Sequence, residues 1–243
     1  MRVVAVVPAL DEEGTIGDVV RGLYAAPGVH AVVVADNASR DRTCEAARAA
    51  GADVVHEPRR GYGAACLAGI RRARELGASI VLLCDGDGSD DPAEAPRLIA
   101  PIRDGMADLV LGVRTRESTE PGAMTWPQKI GNRAVPLLLR ATTGARYADL
   151  PPYKAIRAST LELLDLEERG GGFTIELLLA AHQARLRVRE VEVRCRARRA
   201  GTSKVSGNAR GALGAAAAIL GTIVRRTRRR HDRAARGRTA SPA

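Results

Sequence analysis

The sequence predicts an α/β fold with a mostly parallel central sheet flanked by helices. Three observations lead there. Short apolar, β-branched runs alternate with stretches of helical spacing through the first half of the chain. Aromatic residues are scarce (one Phe, one Trp and four Tyr), so the core must be built from Val, Leu, Ile and Ala. That composition suits strands buried on both faces. Polar clusters fall directly after the apolar runs, where the open ends of such a sheet bind ligands.

Arg2–Val7 (RVVAVV) reads as the first strand, stopped by Pro8. Thr15–Tyr24 has helical spacing, with Ile16, Val19, Val20 and Leu23 on one face. Ala31–Ala35 is the second strand, Asp41–Ala50 a helix and Ala52–His56 the third strand. A helix follows Gly61-Tyr62-Gly63 and runs to about Leu76. Ser79–Cys84 (SIVLLC) is the fourth strand; the next helix begins after Asp91-Pro92, with Pro near its first turn. Asp108–Val113 is the fifth strand. Met124–Gly144 reads as a helix with Pro136 as a kink or break, and Asp149–Pro152 as a turn or extended segment. Ser159–Leu166 and Thr174–Ala184 are helices, and Arg187–Arg194 (RVREVEVR) is a half-buried strand with its three Val on one face. Arg198–Gly207 is a loop, and Ala209–Val224 a small-residue apolar helix.

The formal net charge of +10 is unevenly placed. From Arg225 to Ala243 eight Arg stand against one Asp, which leaves about +3 for the rest. No aromatics interleave these arginines, which argues against nucleic acid. The four Cys are widely spaced with no C-x-x-C pair, which argues against a zinc site and fits a reduced, cytoplasmic setting. No secretory leader pattern precedes the first strand, and no apolar run is long enough to span a bilayer.

Asp85-Gly86-Asp87-Gly88 is the leading chemical motif. Two carboxylates one residue apart at a strand end reach one small volume, and Mg²⁺ or Mn²⁺ bind carboxylate and phosphate oxygens together. Asp90 and Asp91 suffice to cap the following helix, so Asp85 and Asp87 need another role. Asp36, after the second strand, suits a ribose or a base N–H, while Ser39 or Asp41 can cap the next helix. Glu12 and Glu13 fit a helix N-terminus or a nucleoside pocket. Arg60-Gly61-Tyr62-Gly63 resembles a phosphate-cradling loop but lacks G-x-G-x-x-G, because Cys66 stands three after Gly63. Gly63 is grouped with the donor-binding residues.

The stretches VVAVVPALDEEGTIGDVV, VVVADNASRDRT, GYGAACLAGI, DGDGSDDP, LGVRTR, DLPPYKAIR and the long segment from Gly170 to Gly207 occur in this order. Together they resemble glycosyltransferase family 2, in its dolichyl-phosphate mannosyltransferase-like (polyprenyl-phosphate) branch. The resemblance implies a GT-A fold over residues 1–224. Residues 1–115 would form a nucleotide-sugar half, 116–208 an acceptor half and 209–224 an apolar helix, with 225–243 a basic, disordered tail. It implies that Pro8, Leu10, Glu12 and Asp36 contact the nucleoside, and that Asp85 and Asp87 hold metal and diphosphate. It places Arg114 near donor and acceptor phosphates, Arg199 and Lys204 in a loop closing over the phosphates, and Asp149 and Arg157 near the acceptor, and it matches Glu176 to the acidic position of a W/F-x-x-E-like helix. Two positions depart from the family: Ser89 replaces a frequent Gln, and Asp36-Asn37-Ala38-Ser39 replaces D-D-G-S.

The resemblance further implies an inverting hexosyl transfer from a UDP- or GDP-sugar, with Asp87, Arg114 and Asp149 as catalytic candidates. A lipid phosphate acceptor is already anionic and needs orientation, for which Arg114, Arg199 and Lys204 are suited. A hydroxyl acceptor needs a base, for which Asp149 or Glu176 is the candidate. The expected partners are the donor, a polyprenyl phosphate, and an anionic membrane face met peripherally through the C-terminal helix and Arg tail. The alternatives are a soluble transferase with a small phosphorylated or natural-product acceptor, a sugar nucleotidyltransferase and a non-enzymatic binding module. Acidic P-A-L-D-E-E after the first strand argues against the nucleotidyltransferase.

Overall fold

The computed structural model describes residues 1–197 and 221–226. Its strands are β1 (Val3–Ala9), β2 (Ala31–Asp36), β3 (Asp53–His56), β4 (Ile80–Leu83), β5 (Leu109–Val113), β6 (Lys154–Arg157) and β7 (Val188–Glu192). Its helices are α1 (Ile16–Ala25), α2 (Thr43–Ala49), α3 (Tyr62–Glu75), α4 (Ala95–Arg103), α5 (Trp126–Thr143), α6 (Ala158–Leu164) and α7 (Phe173–Gln183). A short 3-10 turn, Pro92–Glu94, leads into α4. The strands form one seven-stranded sheet in the order β3-β2-β1-β4-β6-β5-β7. Every neighbouring pair is parallel except those made by β6, which runs against both β4 and β5.

Strand periodicity divides the core into two layers. Val3, Ala5, Val7 and Ala9 of β1 face α1 and α4, with Leu23, Leu98 and Ile102. Val4 and Val6 face α3, α6 and α7, with Ile70, Leu161, Phe173 and Leu177. The apolar face expected of the first helix is the buried face of α1: Ile16, Val19, Val20 and Leu23.

Four expectations are corrected. Pro8 does not stop the first strand, since β1 continues to Ala9 and Pro8 pairs with Ala35 of β2. Val6 O accepts Cys84 N on the β4 side, and the two-residue period points the Pro8 nitrogen the same way. The β4 ladder has already ended at Val6–Leu83, so the missing N–H costs no ladder bond. Strand β6 was not anticipated, because KAIR is four residues long and starts with a charge. α5 runs unbroken through Pro136, held by Val135 and Leu139 packed on Ile175 and Leu179. The three Val of the last strand do not share a face. Val191 stands an odd three positions after Val188, so Val188 meets the α3–α7 layer while Val191 and Val193 meet the α1–α4 layer.

Of the expected C-terminal helix, residues 221–224 are helical, the helix continues through Arg225 and Arg226 of the expected tail, and Ile223 packs against Val135, Leu139 and Ile175. The remainder of that helix, the loop 198–207 and the Arg tail beyond 226 lie outside the described residues. No helix among the described residues is long and apolar enough to cross a membrane.

Candidate active site

The carboxyl ends of β1, β2 and β4 open on one rim, and hydrogen bonds join the loops that leave them. Asp11 N donates to Ser39 Oγ at 2.9 Å, Glu12 N to Thr43 Oγ1 at 2.8 Å and Glu13 N to Asp41 Oδ2 at 3.1 Å. Thr15 Oγ1 donates to Gly86 O at 2.8 Å, tying the start of α1 to the acidic loop after β4. Across that loop lies the segment after β7. Arg196 N donates to Ser89 O, and its guanidinium meets Asp91 at 2.6 Å.

Within the acidic loop the carboxylates divide the work. Asp91 caps the 3-10 turn through Ala93 N at 3.1 Å, as anticipated. Asp90 does not cap: it is buried and accepts Asp85 N at 2.9 Å, bracing the loop from inside. Asp87 Oδ1 accepts Ser89 N at 2.9 Å. Burial first, and then the neighbouring Asp87 carboxylate, push Asp85 up to about 6 against the pull of Lys154 and Tyr62. Burial and Asp85 together hold the Asp90 carboxyl well above the usual range. Such crowding of like charge favours any cation that enters. No cluster of three or more His, Cys, Asp or Glu stands ready to hold an ion among the described residues. An ion held by Asp85 and Asp87 would therefore need oxygens from a ligand or water, as Mg²⁺ sites on phosphates do.

The other side of the cleft is cationic. Lys154 begins β6 opposite Leu83 and is completely buried. Its Nζ donates to Thr174 Oγ1 at 2.9 Å. Burial lowers it to about 8, against the pull of Cys66, Asp85 and Asp90. Tyr62 Oη donates to Asp85 Oδ1 at 3.2 Å. Arg114, just past β5, grips Asp149 with both prongs, Nε to Oδ2 at 2.7 Å and Nη2 to Oδ1 at 3.0 Å. Its backbone N also donates to Oδ2 at 3.1 Å. A cavity of about 220 Å³ opens between these groups, lined by Tyr62, Asp85, Arg114, Asn132 and Thr174.

On the rim's far side, Asp36 is buried and both its oxygens are engaged. Ser39 N donates to Oδ1 at 3.2 Å, and His56 Nδ1 lies 2.8 Å from Oδ2. Burial raises its pKa, but the bonds from Ser39 and His56 outweigh burial and leave it lowered. The N-cap of α2 is Arg42, with no side-chain cap, and Asp41 before it accepts Thr43 N at 3.0 Å. Pro8 is buried, and Leu10 and Glu12 are half-buried at the same rim. Asn37, which replaces a family Asp, works as a bracket. Its Nδ2 donates to Glu57 O and Arg59 O, and its Oδ1 accepts Gly61 N at 2.7 Å. A carboxylate could not donate those two bonds.

Gly63 is not a phosphate cradle. The first N–H groups of α3 are taken: Gly63 N donates to Gly170 O at 3.1 Å and Ala64 N to Arg169 O at 2.8 Å. A Cβ on Gly63 would stand 2.1 Å from Glu168 O, and one on Gly61 would stand 2.2 Å from Arg169 O. These glycines admit the 168–170 backbone, and that contact holds the α3 end whose Tyr62 reaches Asp85.

Arg157 is also corrected. Because β6 is antiparallel, Arg157 pairs with Ile80 at the opposite end of β4 from Asp85, about 10 Å from Lys154. It donates to Ile102 O at 2.9 Å, away from the cleft. Glu176 is buried; its Oε2 accepts Glu167 N and Glu168 N at 2.9 and 2.7 Å, so it organises the 165–170 turn. Arg199 and Lys204 lie outside the described residues. Sequence reasoning missed Tyr62, Asn132 and Thr174 as cleft residues, and Lys154 as the buried cation bonded to Thr174. For Lys154 the available signal was a lone cation flanked by Tyr153 and Ala155-Ile156 in a short apolar stretch.

Similarity to known proteins agrees with this arrangement. The profile of the family described as "Glycosyl transferase family 2" matches residues 4–163. An uncharacterized glycosyltransferase of Mycobacterium tuberculosis is 37% identical over 213 residues, covering 87% of this chain and 93% of that protein. The undecaprenyl-phosphate mannosyltransferase of Micrococcus luteus is 34% identical over 221 residues, covering 85% of this chain and 88% of that protein. Among solved structures, glucosyl-3-phosphoglycerate synthase from Mycobacterium tuberculosis, crystallised with Mn²⁺, UDP-glucose and phosphoglyceric acid, superposes with a TM-score of 0.71. It is 24% identical, and the match covers 91% of this chain and 79% of that one. With its mostly parallel GT-A sheet and this extent of sequence similarity, the chain belongs to glycosyl transferase family 2 and is a glycosyltransferase.

Proposed function

We propose that this enzyme transfers a hexose, with inversion, from a UDP- or GDP-sugar to a polyprenyl phosphate. The observation that carries the proposal is the division of one cleft. Acidic Asp85 and Asp87 stand at the end of β4, Asp85 and cationic Arg114 line a cavity beside them, and buried Lys154 bonds Thr174 of the cavity wall. The likeness to an undecaprenyl-phosphate mannosyltransferase supports the same acceptor class. Residues 1–115 would serve the donor and 116–208 the acceptor, at the cytoplasmic face of the membrane.

In this reading Asp85 and Asp87 would hold Mg²⁺ or Mn²⁺, which would supply charge neutralisation for the departing diphosphate. Pro8, Leu10, Glu12 and Asp36 line the nucleoside side. An acceptor phosphate oxygen attacks C1 of the sugar from the face opposite the leaving group. The C1–O bond to the donor diphosphate breaks, and its electron pair leaves on the diphosphate oxygen. No proton moves, because the acceptor is already an anion. Asp149 then needs no role as a base: held on Arg114 by both oxygens, it fixes that guanidinium at the cavity wall. The cavity of about 220 Å³ also admits a whole small phosphorylated metabolite, and this is the second reading.

Radiolabelled UDP- and GDP-sugars offered with a short polyprenyl phosphate, or with 3-phosphoglycerate, decide between them. Lipid product that disappears with chelator and falls at least about 100-fold in Asp87→Asn supports the first reading. Product on phosphoglycerate alone supports the second. Full turnover in Asp87→Asn refutes both.

A further inference from the structure

Helix α5 has two apolar faces, and only one is packed among the described residues. Val135 and Leu139 pack inward on Ile175, Leu179 and Ile223. On the outside Trp126 is 73% exposed, Ile130 48% and Leu137 64%. At about 100° per residue these three side chains fall within about 40° of one another, on the side opposite Val135. Lys129, Arg133 and Arg140 run beside them, all exposed, and α5 contains no Asp or Glu. A large apolar residue left in water gains nothing for the fold, and three in one stripe mark a surface meant to be covered.

We propose that the outer face of α5 is a docking surface for an anionic lipid bilayer. Trp is favoured at the membrane interface, where its ring is apolar and its N–H stays wet. Ile130 and Leu137 would enter the acyl boundary, while the three cations meet lipid phosphates. Position supports the assignment. Asn132 of the same helix lines the cavity that holds Asp85 and Arg114. With α5 lying flat on the bilayer, the cavity wall stands at headgroup level, where a lipid-borne phosphate enters from the side. The proposal deepens the lipid-acceptor reading by naming the surface that delivers it, yet its test needs no turnover.

Trp126 is the single tryptophan of the chain, so its fluorescence reports on α5 alone. The full chain is mixed with vesicles of phosphatidylglycerol and phosphatidylcholine, without polyprenyl phosphate. Trp126 emission shifts to the blue and is quenched when the acyl chains are brominated. Ile130→Ser with Leu137→Ser weakens vesicle binding by about tenfold or more. Lys129→Gln, Arg133→Gln and Arg140→Gln remove the preference for anionic vesicles, at about fivefold per cation. Vesicle binding with Trp126 unshifted and unquenched overturns the proposal and moves attachment to the C-terminal arginines. A blue shift that grows with protein concentration in the absence of lipid also overturns it, because a second copy then covers the stripe. Lipid-phosphate transfer in detergent without quenching in vesicles refutes the docking surface alone. Quenching without transfer refutes the acceptor alone.

Discussion

Gly63→Ala tests how the acidic loop is supported, because it adds one carbon where the backbone leaves no room. The new Cβ would lie 2.1 Å from Glu168 O and 2.9 Å from the carbonyl carbons of Glu168 and Arg169. Contact below 3.0 Å is not tolerated, so the 168–170 segment must retreat by about 1 Å. That stretches two bonds, Gly63 N to Gly170 O at 3.1 Å and Ala64 N to Arg169 O at 2.8 Å, past useful length. Each N–H left without a partner costs about 1–3 kcal/mol. Replacing Gly by Ala inside a helix returns about 1 kcal/mol. The net loss is roughly 1–5 kcal/mol, at about 2–4 °C of melting temperature per kcal/mol for a chain of this size. Gly131, in α5, is the control: a Cβ there meets nothing within 4 Å, so Gly131→Ala is neutral or stabilises by up to about 1 kcal/mol. Urea unfolding of both variants reads the difference. Gly63→Ala matching Gly131→Ala in stability would refute the account of α3 as a helix end closed by the 168–170 backbone. Turnover should fall in Gly63→Ala as well, since Tyr62 loses its fixed approach to Asp85.

Three further outcomes follow from single contacts. Arg114→Ala breaks a buried two-pronged pair with Asp149 and destabilises by about 3–5 kcal/mol, while Arg114→Lys, which keeps charge but not the fork, loses less; an Ala variant as stable as wild type in urea contradicts this. Asp108 is held below the ordinary carboxylate range, chiefly by the Arg187 guanidinium and against burial. Its contribution is therefore complete above the unfolded value near about 4 and is lost as pH falls through the lower folded value. Asp108→Asn should flatten the acid limb of the stability profile, and an unchanged limb counts against the pair. Tyr153 Oη is buried without a hydrogen-bond partner, so Tyr153→Phe is neutral or stabilising by about 1 kcal/mol; a clear loss in thermal unfolding would reveal a partner for the hydroxyl.

Much of the first half's architecture and of its acidic rim was legible from local pattern. Strands β1 to β5 and their helices announce themselves through β-branched runs and helical spacing, and Asp36, Asp85 and Asp87 follow because strand ends are where such sheets bind. What stayed hidden depends on pairing across long separations. Lys154 reaches Thr174 of the cleft wall only because β6 runs backwards between β4 and β5, a placement no local pattern encodes. The same reversal carries Arg157 away, although the family motif sets it beside Asp149. Gly63 misled because a glycine that admits a ligand and one that admits another backbone segment look alike in sequence. The contact with 168–170 lies a hundred residues downstream.

The reversed strand also bears on how such an enzyme can be rebuilt. β5 bonds to β6 and β7 and never to β1 or β4. A piece ending near residue 115 would thus keep the loops after β1, β2 and β4 but leave β5 with no strand beside it. Swapping the part after that point between relatives should yield insoluble chimaeras. Exchange confined to the stretch between Arg114 and Tyr153 leaves β6 native and every ladder closed, so altered acceptor choice is best sought by grafting there.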